Sequence, residues 1–327
     1  MKRLFALPVL ALASALMTAP AFAADARKAP ECIAPANPGG GWDFTCRSVG
    51  KLLSNLSYVD GNVQTVNMPG AGGGVAYAHI ISKRKDDNNV VVAASTATTT
   101  RLAQGQFPGM NADQVQWVGT LGADYGVIAV SKNSPYHSLK ELLDALKEDP
   151  SAVKFAGGSA NGGWDHLKVL IAAKADGVKE LTKVKYLAFA GGGEAITQVI
   201  GGHVGAFTGD VSEVLGFIQS GDLRVLGVLS DDRLPAPYDQ IPTAKEQGID
   251  AVAPNWRGFY IPGGASKETY TWWTNSIDKL YDSAEWQDVM KENGLLPFHK
   301  SGADFDAFVK KQIADIQSIS KEVGLIK

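Results

Sequence analysis

Short apolar runs recur along the chain and alternate with stretches of helical spacing. Residues 63–66, 90–94, 127–130, 153–156, 184–189 and 223–229 are rich in β-branched side chains. Gly, Asn, Asp or Ser bound them, so each run predicts a strand. Between them lie helix signals. Ser138-Leu139-Lys140-Glu141 is a Ser-x-x-Glu capping pattern ahead of Leu142, Leu143 and Leu146. Such alternation predicts parallel sheets with helices on both faces. Near the C-terminus, Ile277, Leu280, Tyr281 and Ala284 share one helical face. Phe305, Phe308, Val309, Ile313, Ile316 and Ile319 form a second stripe. No low-complexity linker divides the chain. Two long, extended-looking segments, 117–130 and 256–261, are the expected crossings between two domains.

The first residues change the picture. Lys2 and Arg3 precede an apolar run over 4–16, and Ala21-Phe22-Ala23 has the A-x-A form of a cleavage site. Residues 1–23 therefore read as an export signal, and the mature chain is expected to start at Ala24 in the periplasm. The apolar run is too short to span a bilayer. Formal charge is −3, or −5 once Lys2 and Arg3 are removed, which offers no basic footprint for nucleic acid. The two cysteines, Cys32 and Cys46, predict a disulfide in an exported protein. Closing a loop of about 15 residues stabilises by roughly 3 kcal/mol.

Four glycine-rich turns stand at strand-to-helix junctions: residues 37–43, 67–74, 157–165 and 190–194. In open α/β sheets such junctions lie at the carboxyl ends of strands, where ligands bind. Glycine admits close backbone approach, and the helix N-terminus behind it favours an anion. The string Gly-Gly-Trp-Asp occurs twice, at 40–43 and 162–165. One copy per domain would set two helix N-termini across a shared cleft, with Trp42 and Trp164 lining it or packing the first turn. Asp43 and Asp165 are expected to cap N–H groups there. Enzyme motifs fit poorly. No glycine turn ends in Gly-Lys-Ser/Thr, and the Gly70–Gly74 run breaks the G-x-G-x-x-G pattern. Ser159 falls one residue short of a G-x-S-x-G elbow, and the five histidines lack metal-ligand spacing. No enzyme activity, cofactor or metal is expected.

The segment Pro38-Gly39-Gly40-Gly41-Trp42-Asp43, closing on Arg47, resembles the P-G-G-x-x-D-x-x-x-R motif of the tripartite tricarboxylate transporter receptors, also called Bug receptors. Asn67-Met68-Pro69-Gly70-Ala71-Gly72-Gly73 resembles their N-x-P-G-A-G-G segment. The turn at 157–167, the segment 202–210 and Trp256-Arg257-Gly258 follow in the family's order. Many relatives carry P-D-G-x-T-L where this chain has Lys85-Asp86-Asp87-Asn88-Asn89-Val90.

This resemblance implies a two-lobed α/β periplasmic binding protein, type II-like, with a ligand cleft between its domains. The expected lobes are 24–125 plus 256–327, and 126–255. The implied role is a monomeric receptor that hands a small carboxylate to the membrane components of a tripartite transporter. Carried over, the ligand-binding residues are Pro38, Gly39, Gly40 and Gly41 on one lobe, and Ser159, Ala160, Asn161 and Gly162 on the other. Asn67, Thr96, Thr98 and Thr99 are further polar contacts, Trp42 is a wall, and Asp210 matches a cleft-proximal position. Arg101 and Arg257 are the cationic candidates, and Arg101 would suit a second carboxylate. Such a lining predicts a tricarboxylate such as citrate, with a dicarboxylate or other organic acid as the alternative.

Overall fold

The computed structural model describes residues 28–189 and 191–327. The export signal and cleavage point expected from the sequence lie outside them. In chain order the elements are β1 (Glu31–Ala34), α1 (Gly41–Asn55), β2 (Gln64–Asn67), α2 (Gly74–Lys83), β3 (Val90–Ser95) and α3 (Thr96–Ala103). There follow β4 (Val115–Ser131), α4 (Leu139–Glu148), β5 (Lys154–Gly157), α5 (Trp164–Ala175), β6 (Lys185–Ala188), α6 (Gly192–Ile200), β7 (Ala206–Asp210) and α7 (Val211–Gln219). The chain closes with β8 (Leu223–Leu229), β9 (Pro254–Pro262), α8 (Lys267–Tyr281), α9 (Ala284–Glu292) and α10 (Gly302–Glu322).

Local chemistry explains most boundaries. Ser138 Oγ accepts from Glu141 N at 3.1 Å and starts α4. The Glu141 carboxylate reaches back to His137 N at 2.7 Å, one residue beyond the usual box. Leu139, Leu142, Leu143 and Leu146 form the buried face of α4. The stripe over 277–284 is shared between two helices. α8 stops at Tyr281, and Ser283 Oγ accepts from Trp286 N to cap α9.

Parallel pairing sets β1 between β2 and β3, and β5 between β6 and β7. The expectation of purely parallel sheets fails at β9 and β4, which run antiparallel to their neighbours. β4 is 17 residues long. It pairs with β9 from Val115 to Tyr125, then with β7 and β8 from Gly126 onward. A strand that leaves one sheet and enters another needs no crossover helix, so it breaks the strand–helix alternation. The result is two α/β lobes joined through β4. Behind the junction Trp117, Trp256 and Phe305 meet edge to face, with ring centroids 5.2–6.2 Å apart. Each such pair adds about 0.5–1.5 kcal/mol beyond burial. α10 supplies Phe305 at one end and buries Ile316 against the second lobe further along.

Cys32 on β1 and Cys46 on α1 form the expected disulfide, with Cα atoms 5.7 Å apart. It pins the strand and helix that flank the first glycine turn.

Candidate ligand-binding cleft

The carboxyl ends of β1, β3, β5, β6 and β7 converge on one cavity of about 630 Å³. That volume falls within the roughly 300–1,000 Å³ usual for small-molecule sites. Much of its lining comes from the first turns of five helices. These are Gly41, Trp42 and Phe44 of α1, Ala97 of α3, Asp165 of α5, Gly192 and Gly193 of α6, and Ser212 and Glu213 of α7. Asp124 of β4 and Asn255 and Arg257 of β9 form the part at the lobe junction. Each helix start carries partial positive charge and N–H groups with no partner inside its own helix.

The first glycine turn is braced by Asp43. Its carboxylate accepts from Gly39 N at 2.9 Å and from Asn67 Nδ2 at 2.8 Å, and pairs with Arg47 Nε at 2.9 Å. Burial pushes this carboxyl up, but Arg47, the Gly39 N–H and Asn67 together outweigh it and bring it down to about 2. Gly39 holds φ +85°, which favours glycine. Gly41 is required for another reason: a Cβ there would lie 2.6 Å from Arg257 Nη1. Trp42 Nε1 donates to Ser95 Oγ at 3.1 Å, so the indole stands as a wall of the cleft.

The second Gly-Gly-Trp-Asp copy also opens a helix, with different partners. Trp164 is buried in the core of its lobe. Asp165 does not cap, contrary to expectation. It faces the cleft and pairs with Lys168 Nζ at 2.9 Å, while Ser159 Oγ accepts the Asp165 N–H at 3.0 Å. His166 stacks on Tyr186 at 4.6 Å and accepts the Gly162 N–H through Nδ1 at 3.1 Å. Burial brings this imidazole down to about 4, so it is neutral and structural. Gly162 O accepts from Nε2 of Gln104, the C-terminal cap of α3, at 2.6 Å. The 159–162 turn thus docks on the opposite lobe.

A chain of buried charges crosses the junction. Lys168 has no exposed surface and lies between Asp165 and Asp210. Burial works against its charge, yet the two carboxylates outweigh that and hold it protonated, above the usual lysine range. Asp210 also accepts from Asn255 Nδ2 at 2.6 Å and approaches Arg257 Nη2 at 3.5 Å. Arg257 Nη2 donates to Asp124 Oδ2 at 3.1 Å, and Asp124 Oδ1 accepts the Ser212 N–H at 3.2 Å. Arg257 Nε and Asn255 Oδ1, in residues only 6% and 7% exposed, have no partner among the described residues.

Of the residues named from sequence, Gly39, Gly40, Gly41, Trp42 and Asp210 line this cavity. Pro38 is exposed beside it, and Asn67 braces its turn. Thr96, Thr98 and Thr99 are buried and lie outside the lining. Thr96 Oγ1 donates to Pro254 O at 2.8 Å, Thr98 Oγ1 accepts the Ser95 N–H at 3.3 Å, and Thr99 Oγ1 meets Gln312 Oε1 at 2.8 Å. Arg101 is half-buried against Gly72 and donates to Gln106, away from the lining. Ser159, Ala160, Asn161 and Gly162 are also outside it, although Gly158 is within. Sequence reading singled out the fourth glycine turn but did not place Gly191–Gly193 in the site. Asp124, Ser212, Glu213 and Asn255 were missed. For Glu213 a signal existed: Asp210-x-x-Glu213 is a capping pattern, and Asp210 N donates to Glu213 Oε2 at 2.8 Å.

Two lobes, a long strand that serves both sheets and a polar cleft at the strand ends define a two-lobed solute-binding protein. The chain belongs to the tripartite tricarboxylate transporter receptor family, whose model matches residues 56–325. This is a family of periplasmic solute receptors and not of enzymes. Protein BugT of Bordetella pertussis is 25% identical over 337 residues, covering 99% of this chain and 98% of BugT. The crystal structure of a TctC solute-binding protein from Polaromonas superposes with a TM-score of 0.72 at 25% identity, over 90% of this chain and 98% of that one. An R. palustris protein solved with adipate superposes with a TM-score of 0.78 at 19% identity, over 91% and 97%.

Proposed function

We propose that the protein is an exported receptor for a small organic acid, a tricarboxylate such as citrate foremost, which it delivers to the membrane components of a tripartite tricarboxylate transporter. The observation that carries this reading is the lining: five helix N-terminal turns and one buried arginine around a polar cavity. A favourable helix end contributes about 0.3–1 kcal/mol to binding an anion, and up to about 2 when partly buried. Several ends with Arg257 suit more than one carboxylate. The adipate complex of the R. palustris protein favours a second reading, a dicarboxylate ligand. The lobes in this proposal are 24–125 plus 256–327, and 126–255. The change of partner along β4 between Tyr125 and Gly126 supports that division. Residues 1–23 are the export signal, and the mature protein works as a periplasmic monomer. Pro38, Asn67, Thr96, Thr98, Thr99, Arg101 and the Ser159, Ala160, Asn161 and Gly162 turn are proposed to contribute once the lobes close on ligand.

The test is calorimetry on the mature protein with citrate, tricarballylate, succinate and adipate. Saturable binding of citrate, lost in Arg257→Ala, is the expected result. Binding of succinate or adipate alone replaces the tricarboxylate with a dicarboxylate. No binding by any of the four overturns the proposal.

A further inference from the structure

The cleft lining carries four carboxyl groups, Asp124, Asp165, Asp210 and Glu213, and one cation, Arg257, with Lys168 buried just behind it. Both cations are already committed, Lys168 to Asp165 and Asp210, Arg257 to Asp124 and Asp210. A receptor for an anion therefore presents a surplus of two negative charges when every group is ionised. Three of the carboxyls have cationic partners; Glu213 has none among the described residues. Glu213 sits on the first turn of α7, facing the open cleft, where a ligand can reach it. Its Oε2 takes the Asp210 N–H, and its Oε1 lies so close to the start of α6 that a Cβ on Gly192 would fall 2.2 Å from it. The unpartnered Arg257 Nε and Asn255 Oδ1 mark the same cleft as one built for a polar ligand.

We propose that the cleft takes its carboxylate ligand together with one proton, carried by Glu213, whose protonated carboxyl then donates a hydrogen bond to the bound anion. The proposal rests on the carboxylate-receptor reading above. The charged groups that face Glu213 are Asp165 and Lys168 from α5, Asp210 at the end of β7, Asp124 from β4 and Arg257 from β9. Glu194, on the first turn of α6, is outside the lining. The surrounding wall, then the charges of Asp165 and Asp210, push the Glu213 carboxyl upward, and solvent in the open cleft tempers the shift. A bound anion adds a further negative charge and removes that solvent, so both effects strengthen on binding. A carboxyl kept neutral is also a donor, where a carboxylate is only an acceptor.

The experiment is calorimetry of the mature protein with citrate and with succinate, in buffers of different ionisation enthalpy, between about pH 7.5 and 9, well above the titration of the ligands' own carboxyls. The expected result is proton uptake that grows between about pH 7.5 and 9, as the free Glu213 carboxyl ionises, and reaches at most about one proton per ligand bound, with affinity falling up to about tenfold per pH unit above Glu213's titration. Glu213→Gln should abolish the uptake and bind more tightly than wild type at about pH 9, because the amide still donates. Binding of either ligand by the wild type without proton uptake overturns the proposal and leaves the carboxylate reading intact. Uptake unchanged in Glu213→Gln also overturns it. If neither ligand binds at any pH, both readings fall. The wild-type proton count needs no variant, so a misfolded Glu213→Gln does not rescue the proposal.

Discussion

Lys168 and Gly41 show how single residues hold this site. Lys168 is wholly buried between two carboxylates. Removing one member of a buried ion pair typically costs about 3–5 kcal/mol, because the partner charges stay behind. Lys168→Met is expected to destabilise the fold by that amount in urea unfolding, and Asp210→Asn should recover part of the loss in the double variant. Gly41→Val should lower stability and weaken ligand binding at least about tenfold, since the new side chain displaces the Arg257 guanidinium from its buried partners, and a charged hydrogen bond is worth about 1.5–3 kcal/mol. Equal calorimetric affinity in this variant and wild type would remove Arg257 from the binding set. pH dependence follows from three groups of opposite sign. Asp43 is held at about 2, so its contribution is present above its unfolded value of 3.8 and is lost as pH falls toward 2. His166 is held at about 4, so its contribution fades as pH falls below 6.5. Glu213 is raised, so its contribution is present at low pH and is lost as pH rises above 4.5. Melting curves of the free protein should fall on the acid side. Glu213→Gln should flatten the alkaline side alone. The chemistry of the first turn was legible at this scale because Asp43, Arg47 and Gly39 are near neighbours. Partners of Arg257 were not, since Asp124 and Asp210 lie far along the chain.

Among the elements, the disulfide-clasped β1–turn–α1 unit matters most to the cleft, because its turn supplies Gly39, Gly40 and Gly41. Losing such a bridge typically costs about 2–5 kcal/mol. Cys46→Ser is expected to lower the melting temperature and to weaken ligand binding together, because the turn loses its tether. A variant that melts earlier yet binds equally well would confine the bridge to stability. The predicted strands over 90–94, 153–156, 184–189 and 223–229 overlap β3, β5, β6 and β8. β-branched residues in short apolar runs are a strong local signal. β1 and β7 escaped that reading, because Glu31–Ala34 and Ala206–Asp210 are short and mix polar with small residues. Their strand state comes from neighbours: β1 pairs on both sides, and β7 lies between β4 and β5. The stripe over 277–284 was read as one helix, since periodicity does not show that Ser283 restarts the count.

At the scale of the whole molecule, binding to a two-lobed cleft is coupled to closure, since a ligand that touches both lobes gains contacts in the closed state. Citrate at about 100-fold its dissociation constant should stabilise the fold by roughly 2.7 kcal/mol. That corresponds to a rise of several degrees in melting temperature, extrapolating from about 2–4 °C per kcal/mol in somewhat smaller domains. The radius of gyration in solution scattering should fall slightly on saturation. A thermal shift without compaction would place the ligand on one lobe. The sequence by itself determined the α/β class, the family, the disulfide and the glycine turns at strand ends. Each depends on residue types within a few positions of one another, or on ordered motifs. Tertiary structure decided which turns share a cavity, that β4 serves two sheets, and that Asp124, Asp210, Asn255 and Arg257 meet at the junction. The physical reason is that charge pairing and burial depend on distance in space. Strands β4, β7 and β9 bring those four side chains together from three separate stretches that span 133 residues of sequence, with no local pattern to announce it.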